Sequence, residues 1–404
     1  MKELQREVCE NILIEYEENA KKIVTKQVSI ENSFRVYRDG MVGIHYNVGD
    51  IPEEEGFAKA EAKLQRERPY PFVPEPGTRH RDLSQHEFTE EELVDIADRC
   101  MEYLLTAYPD YTFGATYSIR KETVTRKNDA GMDYRNADSC VVCSISFKHK
   151  ESKDVSDGGF SYNERSFCFD KFKRMADDYL ENFMKMVDFP EELIIDEQYY
   201  GIAGELLKNL NGERIFRKVS LFSDKVGEKV FSEDLTLAHD VSDAESWFNP
   251  FWDGDGSTFP DDRILFIDHG KILSGIADKR DAKRFDIPYT GPAGTSYADI
   301  PTTGNVNVRL ERSGKTVKEL LNGRYAIIPV MAYGGGFNEK GEYTMPVHSS
   351  LLFDGERILG KLPPFTIVTN LFDMFGKDFI GVASDQPVYN DKQILYRVKR
   401  GELK

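Results

Sequence analysis

The chain reads as an α+β protein of two domains, on three observations. Its 404 residues exceed what one hydrophobic core organises, because single cores stop growing near ~250–300 residues. Before about Gly212, strongly amphipathic helical stretches stand among alternating, strand-like runs. Beyond it, short apolar runs alternate with Asp-Gly, His-Gly and Gly-rich turns, the pattern of mostly β structure. The boundary falls near 190–215. It divides an N-terminal α+β domain over 1–200, an antiparallel sheet with helices, from a C-terminal β-rich domain over 201–404.

The elements follow in order. Leu4, Val8, Ile12, Tyr16 and Ala20 recur every four residues, which predicts an opening helix. A hairpin comes next. Phe34 and Val36 alternate with polar residues, Asp39-Gly40 supplies a positive-φ turn, and Val42, Ile44 and Tyr46 alternate again. Pro69, Pro71, Pro74 and Pro76 make residues 67–78 an extended surface segment. Thr89 caps a helix over about 89–108, with Glu90, Glu91 and Glu92 at the positive end of its dipole. Its apolar face is Leu93, Ile96, Ala97, Cys100, Leu104 and Leu105. Strands run on to about Lys148 around an Asn128-Asp129-Ala130-Gly131 turn. A second helix over about 170–187 carries Phe172, Met175, Ala176, Tyr179 and Phe183, and a third covers about 198–209. Short helices are expected near 316–322 and 370–375.

Composition narrows the function. A net charge of −17 repels nucleic acid and anionic membranes, and no long basic run offsets it. The five cysteines lie scattered in the N-terminal half, which is no disulfide framework and fits a reducing compartment. Met1–Tyr16 has no apolar signal-peptide core. The longest apolar stretch, Tyr325–Tyr333, is too short to span a bilayer and contains Pro329. A soluble, cytoplasmic protein is expected.

Candidate chemistry is sparse. None of the seven histidines stands three to five residues from another. His80 and His86 read as solvated loop residues beside Arg79 and Arg81 rather than metal ligands. His348, in Pro346-Val347-His348-Ser349-Ser350, is the one catalytic candidate; the competing reading is a strand-edge histidine with hydroxyls facing water. Cys140 and Cys143 have redox spacing, yet in a strand they point to opposite faces. Asp253-Gly254-Asp255-Gly256-Ser257 resembles half a calcium loop, but its twelfth position is Ile264 rather than a bidentate Glu, so a solvated acidic turn is expected. Gly334-Gly335-Gly336 is no phosphate loop, since no GK[ST] follows. Exposed backbone there, between Tyr333 and Phe337, could pair with an extended peptide by strand addition.

Seven short runs, in order, carry a resemblance. Ser33–Gly40 is similar to a "svRv..dGr.G" hairpin. Arg263–Asp268, His269-Gly270 and Lys271–Ala277 resemble a strand, turn and strand leading into a short helix at Asp278–Ala282. Thr303–Asn307, Thr316–Leu321, Tyr333–Asn338 with Lys340–Tyr343, Phe353–Glu356 and Val368–Leu371 complete the set. Together they resemble the TldD/PmbA family of peptidase-related modulators of DNA gyrase. The resemblance implies a barrel-like C-terminal domain, and dimers in which a zinc-bearing TldD-type chain can pair with a PmbA-type chain to degrade unfolded or extended peptides.

The zinc signature of TldD-type chains is two His and a Glu in HExxxH spacing on a helix, with a Cys ligand near the C-terminus. One helical turn between histidines lets both imidazoles reach one ion, while the Glu activates the bound water. Here the matching segment, Gly201-Ile202-Ala203-Gly204-Glu205-Leu206-Leu207-Lys208, has no His, and no Cys follows Asp385. The resemblance is therefore to the PmbA side. It implies a non-catalytic subunit, homodimeric or paired with a TldD-type subunit, which holds an extended or unfolded peptide. No cofactor is expected of its own, and zinc only in the partner. Two alternatives stay open: a hydrolase in its own right with a non-classical site, and a stand-alone peptide-binding protein.

Overall fold

In this computed structural model, the structure describes residues 1–66, 68–70, 73, 75–153, 155–197, 201–294, 299–304, 307–387 and 393–401. The first sheet comes from β1 (Lys2–Glu17), β2 (Ala20–Arg38), β3 (Met41–Val48), β4 (Gly77–Asp82), β5 (Tyr111–Asn128), β6 (Met132–His149) and β7 (Gly158–Glu164). Its strand order is β3-β2-β1-β5-β6-β4, with β7 also paired to β6. Helix α1 (Glu53–Ala62) lies against β2 and β3. Helices α2 (Glu90–Ala107) and α3 (Phe169–Leu180) cover one face.

The opening segment is a strand and not the helix that its spacing predicts. A repeat of four is also a multiple of two, so it fits either period. The strand's own alternation is hidden because β1 buries Glu3 and Gln5 at one end and Ile12, Ile14 and Tyr16 at the other. These sets point to opposite faces. β5 does the same: Tyr111 to Ile119 bury odd positions, then Glu122, Val124 and Arg126 bury even ones, with no register shift against β6. Under one half lie α2 and α3. Over the other face of the other half lies a loop from the C-terminal part, where Phe251 and Trp252 pack on Val124, Met132 and Tyr134.

Local turn and cap chemistry appears where the sequence places it. Asp39 and Gly40 both have positive φ (51° and 73°) between β2 and β3. Thr89 and Glu92 form a capping box on α2. α3 is shorter than expected and ends at Leu180, although Phe183 remains buried. The Pro-rich segment is not all surface: Tyr70 is buried, and Gly77–Asp82 forms β4, parallel to β6. Pro71 and Pro74 lie outside the described residues, as does the expected start of the third helix at 198–200.

The larger second sheet contains β8 (Ile194–Glu197), β15 (Ala326–Ala332), β16 (Gly336–Phe337), β17 (Glu342–Phe353), β18 (Ile358–Leu362), β19 (Phe365–Asn370), β20 (Phe379–Val382), β21 (Ile394–Arg397) and β22 (Lys399–Gly401). β9 (Leu237–Asp240), β10 (Arg263–Asp268), β11 (Lys271–Ile272) and β14 (Val308–Leu310) make a four-stranded sheet, and β12 (Ala293–Gly294) pairs with β13 (Thr302–Thr303). Helices α4 (Gly201–Leu210), α5 (Gly212–Phe216), α6 (Lys279–Phe285), α7 (Val317–Leu321) and α8 (Leu371–Met374) are short. The C-terminal half is β-rich as expected, but no sheet closes as a barrel. β17 instead branches, pairing on one side with β18 and then β19. One core cluster joins α2, α3 and the first sheet to Ile194, Ala326, Ile328, Leu351 and Phe353, so the two helices are sandwiched between sheets. Among the described residues, no helix is long and apolar enough to cross a membrane.

Candidate functional site

The glycine run lies between β15 and β16, which together form one bulged strand antiparallel to β17. Gly334 has φ +85°, a left-handed conformation that side chains resist. A Cβ on Gly335 would stand 2.0 Å from the Thr344 carbonyl oxygen, so only glycine lets the bulge close on β17. The bulge turns Tyr333 outward, 57% exposed, with its ring stacked on His348 at 4.2 Å and 18°. Phe337 packs against Tyr343 at 4.6 Å. β8 pairs with β15 only at Ala326 and Ile327. Past that point no strand covers the outer edge of β15 or β16 among the described residues, and residues 331–335 are exposed. Such an edge presents free backbone donors and acceptors to an extended chain.

His348 sits on β17 as a half-buried ring under Tyr333. Among the described residues, no carboxylate or hydroxyl hydrogen-bonds to it, so the geometry gives it neither a base's orienting partner nor a nucleophile. The neighbouring hydroxyls do not face water: Ser349 and Ser350 are both buried. That corrects the strand-edge reading, because β17 is central and covered where they lie.

The segment that the resemblance matches to the zinc helix forms α4. Its acidic side chain, Glu205, accepts hydrogen bonds from Lys208 Nζ at 3.0 Å and Asn209 Nδ2 at 2.9 Å. The residues present on α4 do not fit a zinc ion: a carboxylate already committed, and no imidazole or thiolate. No cluster of three or more His, Cys, Asp or Glu that could hold a metal occurs among the described residues. His80 lies 3.4 Å from Asp133, and His86 lies 3.0 Å from Glu92 at the start of α2. Cys143 packs in the helix-side core while Cys140 takes the opposite face of β6, where burial pushes its thiol up to about 12.

The acidic turn is buried, not solvated. Asp253 accepts from the backbone N–H groups of Asp255 (3.0 Å), Ser257 (2.9 Å) and Ala293 (2.8 Å). Asp255 accepts from the Tyr70 hydroxyl and from Lys279 N. The turn therefore clasps the two halves of the chain. Burial, and then the Asp255 charge, push Asp253 up to about 7. Sequence reasoning missed this clasp because Tyr70 is far away along the chain.

Comparison with known proteins agrees with this architecture. The family model of the PmbA/TldA metallopeptidase C-terminal domain matches residues 193–396. An uncharacterized protein of Methanocaldococcus jannaschii is 20% identical over 257 residues, which is 61% of this chain and 59% of that protein. The match thus spans less than two thirds of that relative's length. Among solved structures, TldE from Thermococcus kodakarensis superposes with a TM-score of 0.79 at 18% identity, over 99% of this chain and 96% of that one. A candidate modulator of a DNA gyrase from Thermotoga maritima gives 0.77 at 15% identity, over 99% and 95%. At these identities the structural likeness is one of fold.

Proposed function

The chain belongs to the PmbA/TldA metallopeptidase family, and on that premise we propose that it is a subunit without a zinc site of its own, pairing with a TldD-type zinc protease and holding an extended peptide for it. The observation that carries this reading is the chemistry of α4, which has the family's helix without its imidazoles and with Glu205 already engaged. The missing cysteine after Asp385 points the same way. Support for the peptide role comes from the open edge at Met331–Gly335. Bare backbone there, beside the Tyr333 ring, suits pairing with an unfolded segment. The pairing is proposed to occur in the cytoplasm, and a homodimer is the form without the partner.

Co-expression with a TldD-type protein tests the proposal. The expected result is a complex that cleaves unfolded peptide only while the partner's zinc ligands are intact. Failure of the two chains to associate would overturn it.

A further inference from the structure

On the face of the first sheet opposite α2 and α3 lies a cavity of about 1260 Å³. Its floor is small and polar, with Gly114, Thr116, Ser144, Ser146, Gly159 and Ser161, so a flat, extended ligand can approach the sheet closely. Trp247 and Phe248 wall one end. Their loop is clamped in place. Asp138 accepts two hydrogen bonds from Arg165, each 2.8 Å, and one from Phe248 N at 3.1 Å, while Arg165 also donates to the Ser246 carbonyl. Phe248 is held at φ 56°, a left-handed conformation that costs free energy in a phenylalanine and persists only where its surroundings enforce it. Its ring lies 4.5 Å from the Arg120 guanidinium.

Charge is divided along this trough. Arg120 lies against Phe248 at the aromatic end, and Arg309 lines the trough from the strand whose preceding Asn307 bonds to Asn249 and to the Glu245 carbonyl; Glu15, opposite Thr116, lines the other end with Glu17 and Lys22. Arg120 is ion-paired to Glu122, yet its side chain is 47% exposed and a guanidinium carries five N–H donors. Along β5 the trough runs from Gly114 to Arg120, about 20 Å at ~3.3 Å per residue.

We propose that this trough binds an extended peptide of about six residues, with its free C-terminal carboxylate at Arg120 and Arg309 beside Trp247 and Phe248, and its amino end toward Glu15 and Glu17. The inference rests on the reading that this chain holds extended peptides, and adds a second site, on the first sheet and not at the edge of β15, with a direction and a terminus.

Trp247 reports on it, since the only other tryptophan, Trp252, is 4% exposed. The full chain is titrated with a hexapeptide ending in phenylalanine, once as the free acid and once as the C-terminal amide. The acid is expected to quench Trp247 and bind at least ~10-fold more tightly, the gain of one charge-assisted contact. Arg309→Gln should remove that preference, and Ser146→Phe, which fills the floor from an exposed position without adding a tryptophan, should abolish quenching by both peptides at an unchanged melting temperature. Equal binding of acid and amide, no quenching by either, or a preference that survives Arg309→Gln would overturn the inference. A chain found to be dimeric with the trough covered by its second copy would appear as no quenching. Because the titration needs no zinc partner, the two readings fail separately. Acid-selective binding without association with the protease would sink only the subunit reading, and assembly and cleavage without acid selectivity would sink only this one.

Discussion

Asp196 on β8 is wholly buried, with Gln393 donating a hydrogen bond to it, and burial pushes its carboxyl up to about 8. Asp253 (about 7) and Asp278 (about 6) are raised for the same first reason. A carboxyl raised in the folded state contributes stability below its ordinary value near ~4 and loses it as pH rises through the folded value. The melting temperature is therefore expected to fall as pH rises from about 4 to about 8. In Asp196→Asn the fall should be shallower, with the variant gaining on the wild type as pH rises; a parallel pair of melting curves would count against the assignment. At Gly335, substitution by Ala drives a Cβ into the Thr344 carbonyl, and a loss of at least about 2 kcal/mol is expected in urea unfolding. Residues of this kind were legible in part. The glycine run announced a close backbone approach, whereas the acidic turn looked solvated because its partners, Tyr70 and Ala293, are supplied by the fold and not by neighbours in sequence.

At the scale of elements, whatever is written locally was readable. The capping boxes of α2 and α7, Thr89 with Glu92 and Thr316 with Glu319, need four consecutive residues. Thr89→Ala should cost about 1 kcal/mol, visible as a lower urea midpoint with an unchanged slope. α1 was missed because it has no apolar stripe and buries only Gly56 and Ala60, with Gly56 lying against the Phe34 ring. β1 was misread for a tertiary reason. Its two ends are covered on opposite faces, by helices and by a C-terminal loop, so its alternation reverses midway and only a spacing of four survives. Trp247 and Phe248 offered a weak signal as adjacent aromatics, but their place over the trough depends on Asp138 and Arg165, about a hundred residues earlier.

The whole molecule is held across its halves by a buried, ion-paired arginine. Arg126 donates to Glu3 at 2.9 Å and to the carbonyls of Asp253 and Gly254 at 3.1 Å each, with both charged side chains fully buried. Arg126→Met leaves Glu3 with the Tyr37 hydroxyl at 3.1 Å and, as its cation, the more distant Arg35 at 3.7 Å, and should destabilise the fold by about 3–5 kcal/mol. Adding Glu3→Leu should recover much of that loss in chemical denaturation, since the penalty comes mainly from a stranded charge. The family's fold is thus kept, while this chain's α4 holds no imidazole or thiolate and its one carboxylate, Glu205, is already engaged. The most direct measurement is zinc content per chain, taken on the purified protein alone and after assembly with a TldD-type partner. The account predicts no stoichiometric zinc in the chain alone, and peptide cleavage that appears only together with the zinc the partner brings. One zinc per chain in the isolated protein, with peptide cleavage that a chelator removes, would contradict it.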